Sequence, residues 1–176
     1  MSIELDLCLA AMERQGVDAL ILGREAGVRA VSGADRLWLT GTRPFAPSCV
    51  VVRGSGAVHV LANSNDGFDD FPSDRLYGIS WNPEHVTASL RAIGGLTDAR
   101  TVGVDGMSPG IYALLRGVLP DATFVDAGPL LAELWGLQSP EKLTAVRESS
   151  RVARAGLIFR SCFKRYWANW LSDVIL

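Results

Sequence analysis

The run Asn63-Ser64-Asn65-Asp66-Gly67-Phe68-Asp69-Asp70 is rich enough in oxygen to ligate a hard cation. Calcium loops place acids at alternate positions, glycine sixth and glutamate twelfth. Counted from Asn63, glycine comes fifth and the twelfth residue is Asp74, so the register fails and a solvated loop is expected. Gly103-Val104-Asp105-Gly106-Met107-Ser108-Pro109-Gly110 lies between an apolar run and a helical pattern, a setting in which helix N-termini hold phosphate. It has neither the G-x-G-x-x-G spacing nor the P-loop lysine, and Ser108 as a cap with Pro109 in the first turn accounts for its residues. His59 and His85 have no serine or cysteine in a nucleophile setting, and H-E-x-x-H is absent. Asp105 and Asp126 would supply two carboxylates at strand ends, although such aspartates more often cap neighbouring helices. Residues 34–47 are the strongest binding candidate. They carry Trp38 and Arg43 on a connection longer than most, and these are the residue types that anchor interfaces and grip carboxylates. The equal alternative is a packed Ω-loop with Trp38 closing over the core.

Alternating elements must position these residues. Ile3, Leu7, Ala10, Ala11 and Arg14 recur at helical spacing up to Gly16, and 17–22 is a short apolar run read as a buried strand. Residues 25–31 read as a helix stopped by Ser32-Gly33. Residues 49–53 and 57–62 flank Gly54-Ser55-Gly56 as a hairpin. A strand at 75–80 and a helix at 83–93, with Asn82 as cap and Pro83 at its first position, come next. Strands at 101–105 and 123–126 bracket a helix from Ser108 to about Leu119, and 128–135 is helical. The alternation predicts an α/β domain, a mixed β-sheet covered by helices. Residues 1–138 form that domain, 139–157 a helix capped by Ser139, and 158–176 a separate tail.

Composition sets the class. Of 176 residues, 48% are hydrophobic and 20% charged, which suits one domain with a proper core. A net charge of −2 gives no reason to expect nucleic acid as a partner. After residue 140 there are 7 basic and 3 acidic side chains, an imbalance that suits a solvated helix face better than an anionic partner. Cys8, Cys49 and Cys162 are odd in number and far apart, so reduced, mostly buried thiols are expected. The acidic N-terminus lacks a signal peptide's basic region, and no stretch is apolar enough to span a bilayer; the expected location is cytoplasmic.

Several segments together resemble the N-terminal domain of the creatinase / prolidase / aminopeptidase P family. They are Gly16-Val17-Asp18-Ala19-Leu20-Ile21-Leu22, Val28-Arg29-Ala30-Val31-Ser32-Gly33, Val102-Gly103-Val104-Asp105, residues 119–126 and Leu137-Gln138-Ser139-Pro140-Glu141-Lys142-Leu143. The last resembles the family's junction with its catalytic domain, and the resemblance spans roughly 5–157. It implies a ribonuclease H-like α/β fold. In full-length relatives two aspartates, a histidine and two glutamates of a following domain hold two divalent metal ions (manganese, cobalt or zinc) for Xaa-Pro bond hydrolysis. None of those ligands, and so no cofactor, is expected within this chain, which is therefore expected to be non-catalytic. The resemblance also implies a homodimer in which residues 34–47, with Trp38 and Arg43, support the partner's active site. A stand-alone binding or regulatory module with the same fold is the alternative.

The tail breaks the pattern. Five of the fourteen aromatics (Phe159, Phe163, Tyr166, Trp167, Trp170) fall after residue 157, and apolar pairs recur every four residues. Sequence foreign to the fold through truncation or a changed reading frame, a native packing helix, and a membrane-lying helix all remain open, the last being least expected.

Overall fold

The computed structural model describes residues 3–33, 46–62, 71–78, 82–136, 143–144 and 146–156. The chain divides into two units, Met1–Gly136 and Leu137–Leu176. In chain order the first contains α1 (Ile3–Arg14), β1 (Ala19–Leu22), α2 (Glu25–Ser32), β2 (Cys49–Val52), β3 (Ala57–Ala62), a 3-10 turn (Ser73–Arg75) and β4 (Leu76–Gly78). It continues with α3 (Pro83–Ala92), β5 (Thr101–Asp105), α4 (Pro109–Val118), β6 (Thr123–Asp126) and α5 (Gly128–Gly136). Helix ends follow local chemistry. Gly33 takes the left-handed conformation (φ 69°) that lets its N–H donate to the Arg29 carbonyl and close α2. The Asn82 side chain accepts from the Glu84 N–H at 2.9 Å, with Pro83 occupying the first turn of α3. Asn82→Ala should therefore cost about 1 kcal/mol, read as a fall of roughly 2–4 °C in Tm.

The strands pair in the order β4-β3-β2-β1-β5-β6. Only β2 runs against its neighbours, β1 and β3; the pairs β1–β5, β5–β6 and β3–β4 are parallel. Two expected strands are shorter than their apolar runs. Residues 17 and 18 stay outside β1 because the Val17 N–H donates to the Met12 carbonyl and the Asp18 N–H to that of Thr101. The strand expected at 75–80 pairs with β3 over Leu76–Gly78 and starts after Arg75, whose N–H turns back to the Pro72 carbonyl; residues 79 and 80 lie outside the described residues.

Alternation along the strands separates two cores. Leu20, Leu22, Cys49, Val51, Val58 and Val60 pack with α1, α2 and α5 on one face. Ala19, Ile21, Val50, Val52, Leu61, Val102 and Val104 pack with α3 and α4 on the other. Both faces are therefore covered, which is why β1 and β2 are apolar throughout instead of alternating with polar residues. At Gly103 a β-carbon would meet Leu20 Cδ2 at 2.6 Å, so the glycine leaves room for the leucine of the neighbouring strand. The side chains of Arg14 and Glu133 tie α1 to α5. Cys8 and Cys49 are buried free thiols in the first core, as expected for reduced cysteines; Cys162 lies outside the described residues.

In the second unit residues 143–144 and 146–156 are helical, and every one of them whose burial is described is exposed. Its cap at Ser139 and the tail at 158–176 lie outside the described residues. No helix among the described residues is long and apolar enough to cross a membrane.

Candidate functional site

The parallel strands β1, β5 and β6 end on one edge of the sheet, at Leu22, Asp105 and Asp126. From there β1 leads to α2 on one face, whereas its neighbour β5 leads to α4 on the other. Neighbouring strands whose connections depart to opposite faces leave a crevice between them, the place where open α/β sheets hold ligands. Here the crevice is bordered by Gly23-Arg24 after β1, Asp105-Gly106-Met107 after β5, and Ala46 before β2. A β-carbon on Gly23 would meet the Ala46 carbonyl oxygen at 2.7 Å, Met107 Cε at 3.0 Å and the Asp105 carbonyl oxygen at 3.3 Å. Gly106 has φ 56°, and the Arg24 stem lies where its side chain would be, with Cγ 2.7 Å from that position.

Asp105 is the polar centre of this edge and is 4% exposed. Its Oδ1 accepts from the Gly23 N–H at 2.6 Å and the Arg24 N–H at 3.2 Å. Arg24 is the cap residue of α2 and offers no side-chain cap, so a carboxylate from the adjacent strand takes that role. Among the described residues Oδ2 has no hydrogen-bond partner; it lies 3.2 Å from the position a β-carbon on Gly27 would take. Burial pushes the carboxyl above the ordinary carboxylate range, and the Asp126 charge adds to the rise, against the two N–H donors and the Arg24 charge. The Cys49 thiol is also driven up, by burial first and then by Cys8 and Asp105, which leaves it an inert core group.

Asp126 is spent on its own helix, with Oδ1 accepting from the Gly128 N–H at 2.9 Å. Both strand-end aspartates therefore act as caps. The glycine-rich turn before α4 is likewise explained by Ser108, whose Oγ accepts from the Ile111 N–H at 3.4 Å. His59 sits on β3, separated from β5 by both β2 and β1, roughly 14 Å away at ordinary strand spacing. It is buried beside Tyr77, with Nδ1 3.4 Å from the phenol oxygen, and burial followed by the Arg75 charge lowers its pKa. His85 lies exposed in the first turn of α3. Among the described residues no three of His, Cys, Asp and Glu come together to hold a metal ion. With Asp105 and Asp126 both engaged as caps, these residues do not fit a two-metal centre.

Trp38 and Arg43 lie outside the described residues. The segment that carries them leaves α2 at Gly33 and returns at Ala46, on the crevice edge. The acidic run at 63–70 also lies outside the described residues. The sequence reading expected strand-end aspartates to cap neighbouring helices; what it missed is that Asp105 meets the start of α2, across from the neighbouring strand. The available signal was Arg24 standing at a cap position between two glycines, Gly23 and Gly27.

Residues 5–134 match the family model of the creatinase/prolidase N-terminal domain. A proline dipeptidase from Streptococcus pneumoniae TIGR4 superposes with a TM-score of 0.59 at 16% identity, over 78% of this chain and 100% of that one. An Xaa-Pro dipeptidase from Bacillus anthracis superposes with a TM-score of 0.66 at 11% identity, over 89% of this chain and 41% of that one. At these identities the superpositions show a shared fold. No curated protein matches the chain.

Proposed function

The chain belongs to the creatinase/prolidase N-terminal domain family, and from that premise we propose that it is the non-catalytic, assembly-supporting domain of an Xaa-Pro dipeptidase-type system. The observation that carries this reading is one of extent. The family match covers the α/β unit from α1 into α5, yet the fold it shares with the Bacillus anthracis dipeptidase accounts for 41% of that protein. On this proposal the metal ions and the hydrolytic step belong to the part of such a protein outside the shared fold. In this reading the domain works in the cytoplasm as a homodimer. In the same reading residues 34–47 supply the contacts to the partner, with Trp38 as apolar anchor and Arg43 as carboxylate grip. The helical residues 143–144 and 146–156 support it, because Leu143, Val146 and Val152 are 43%, 59% and 61% exposed, apolar area suited to cover by another surface.

Sedimentation velocity tests the pairing. The full chain should sediment as a dimer in the micromolar range, and Trp38→Ala and Arg43→Ala should each weaken pairing about tenfold or more, on the order of 1.4 kcal/mol. A monomer at every concentration would remove the assembly role. Hydrolysis of an Xaa-Pro dipeptide with added manganese or cobalt, scaling with purified chain, would overturn the non-catalytic assignment.

A further inference from the structure

The opposite edge of the sheet holds a cavity of about 470 Å³, at the starts of β1 and β5, the end of β2, and the turns at 53–56 and 93–99. Its polar lining is Asp18, Arg53, Ser55 and Asp98. That volume lies in the range of small-molecule sites. Gly95, with φ 80°, keeps the floor open: a β-carbon there would press on Val52 Cγ1 at 3.2 Å.

Arg53 is held in place before any ligand arrives. Its Nε donates to the Val17 carbonyl at 2.9 Å and its Nη2 to Asp18 Oδ1 at 2.6 Å. Asp18 is itself fixed, with Oδ2 accepting from the Arg100 and Thr101 N–H groups at 3.0 Å each. Those bonds, the Thr101 N–H first and the Arg53 side chain next, hold its carboxyl below the usual range. Asp18 is thereby fully engaged. Arg53 has used two of its five N–H donors, and the other three meet no acceptor among the described residues. Asp98 borders the same cavity, and among the described residues its carboxylate makes no hydrogen bond or ion pair.

A preset guanidinium fork and a separate free carboxylate define the charge pattern of the ligand. A dianion such as phosphate would meet two aspartates against one arginine. A simple amine would pair with Asp98 and leave the fork unused. A molecule with a carboxylate at one end and an ammonium at the other satisfies both, the carboxylate lying bidentate on Arg53. We propose that this cavity binds a small zwitterion of the amino-acid or dipeptide class, with Arg53 receiving the carboxylate and Asp98 the ammonium. It lies across the sheet from the Asp105 crevice and stands whether or not the chain pairs with a second copy.

Titration of the full chain with glycylglycine, followed by amide NMR, tests this, with acetate and methylammonium as the two halves of the probe. Shifts should concentrate at Gly54, Ser55, Gly94, Gly95 and Asp98. Acetate alone should bind at least tenfold more weakly. Asp98→Asn, an exposed site away from the Arg53 clamp, should reduce glycylglycine affinity about tenfold and leave acetate affinity unchanged. No shifts at tens of millimolar, acetate binding as well as glycylglycine, or an Asp98→Asn chain that binds glycylglycine as before would each overturn the proposal.

Discussion

Replacing Asp105 with alanine should lower stability by about 3 kcal/mol, whereas Asp105→Asn should stay within about 1 kcal/mol of the parent at neutral pH. Alanine removes the acceptor for the Gly23 and Arg24 N–H groups, and Gly23 is buried, so its donor has no water to turn to. It also strips α2 of its only side-chain cap among the described residues. Asparagine keeps an acceptor at Oδ1. The amide it places at Oδ2 has nothing to donate to, but the cost of a buried charge disappears. In thermal melts the alanine form should fall by roughly 6–12 °C. An alanine form that melts with the parent, or an asparagine form as damaged as alanine, would refute the capping role.

The same pair reports on pH. Because burial raises the Asp105 pKa, the folded chain keeps its proton at pH values where the unfolded chain has released it. That contribution is complete below the unfolded value near 3.8 and is lost as pH rises through the raised folded value. Arg24, Asp126 and Cys49 are the charged or titratable groups that bear on it. Asp105→Asn lacks this dependence, so the parent should gain on it as pH falls from 7 toward 4 in urea unfolding. Asp18 works in the other direction. Its lowered pKa stabilises above about 3.8, and that contribution fades as pH falls through the folded value. Asp18→Asn should therefore cost most at neutral pH and least in acid.

Gly23→Ala should be the most damaging single methyl in the first unit, costing about 3 kcal/mol or preventing folding. The methyl would lie 2.7 Å from one backbone carbonyl oxygen, of Ala46, and 3.3 Å from another, of Asp105. Neither can rotate away as a side chain does. Moving Ala46 would disturb the entry to β2, where the Ser48 N–H donates to the Leu22 carbonyl at 2.8 Å and Leu22 pairs with Cys49. Met107→Ala should not rescue it, because the Met107 contact is the flexible one. Gly110→Ala is the control: nothing lies within 4 Å of its β-carbon position in α4, and alanine is the better helix former. It should match or exceed the parent in Tm. Equal melting of the Gly23 and Gly110 variants would show that the crevice edge is looser than its distances imply.

Where chemistry is local, the sequence was enough. Glycine stops helices by taking positive φ, so Gly16 and Gly33 marked the ends of α1 and α2 before any contact was known. Asn82-Pro83 and Ser108-Pro109 opened α3 and α4 because cap and first turn are a few atoms apart. Apolar runs of strand length around a Gly-Ser-Gly turn identified β1, β2 and β3, and their alternation with helices gave the α/β class. Strand order was not legible. Nothing local tells β5 to lie beside β1 instead of β4, or tells β2 alone to run backward. Those choices come from covering both faces of the sheet at once, a property of the whole chain. Residues that act at long range were hidden for the same reason. Asp105 caps a helix 81 residues earlier, and Asp18 holds Arg100 and Thr101 from 82 and 83 residues away. A carboxylate's preference for free N–H groups is written in its type, but which N–H groups it meets is decided only when β1 and β5 pair.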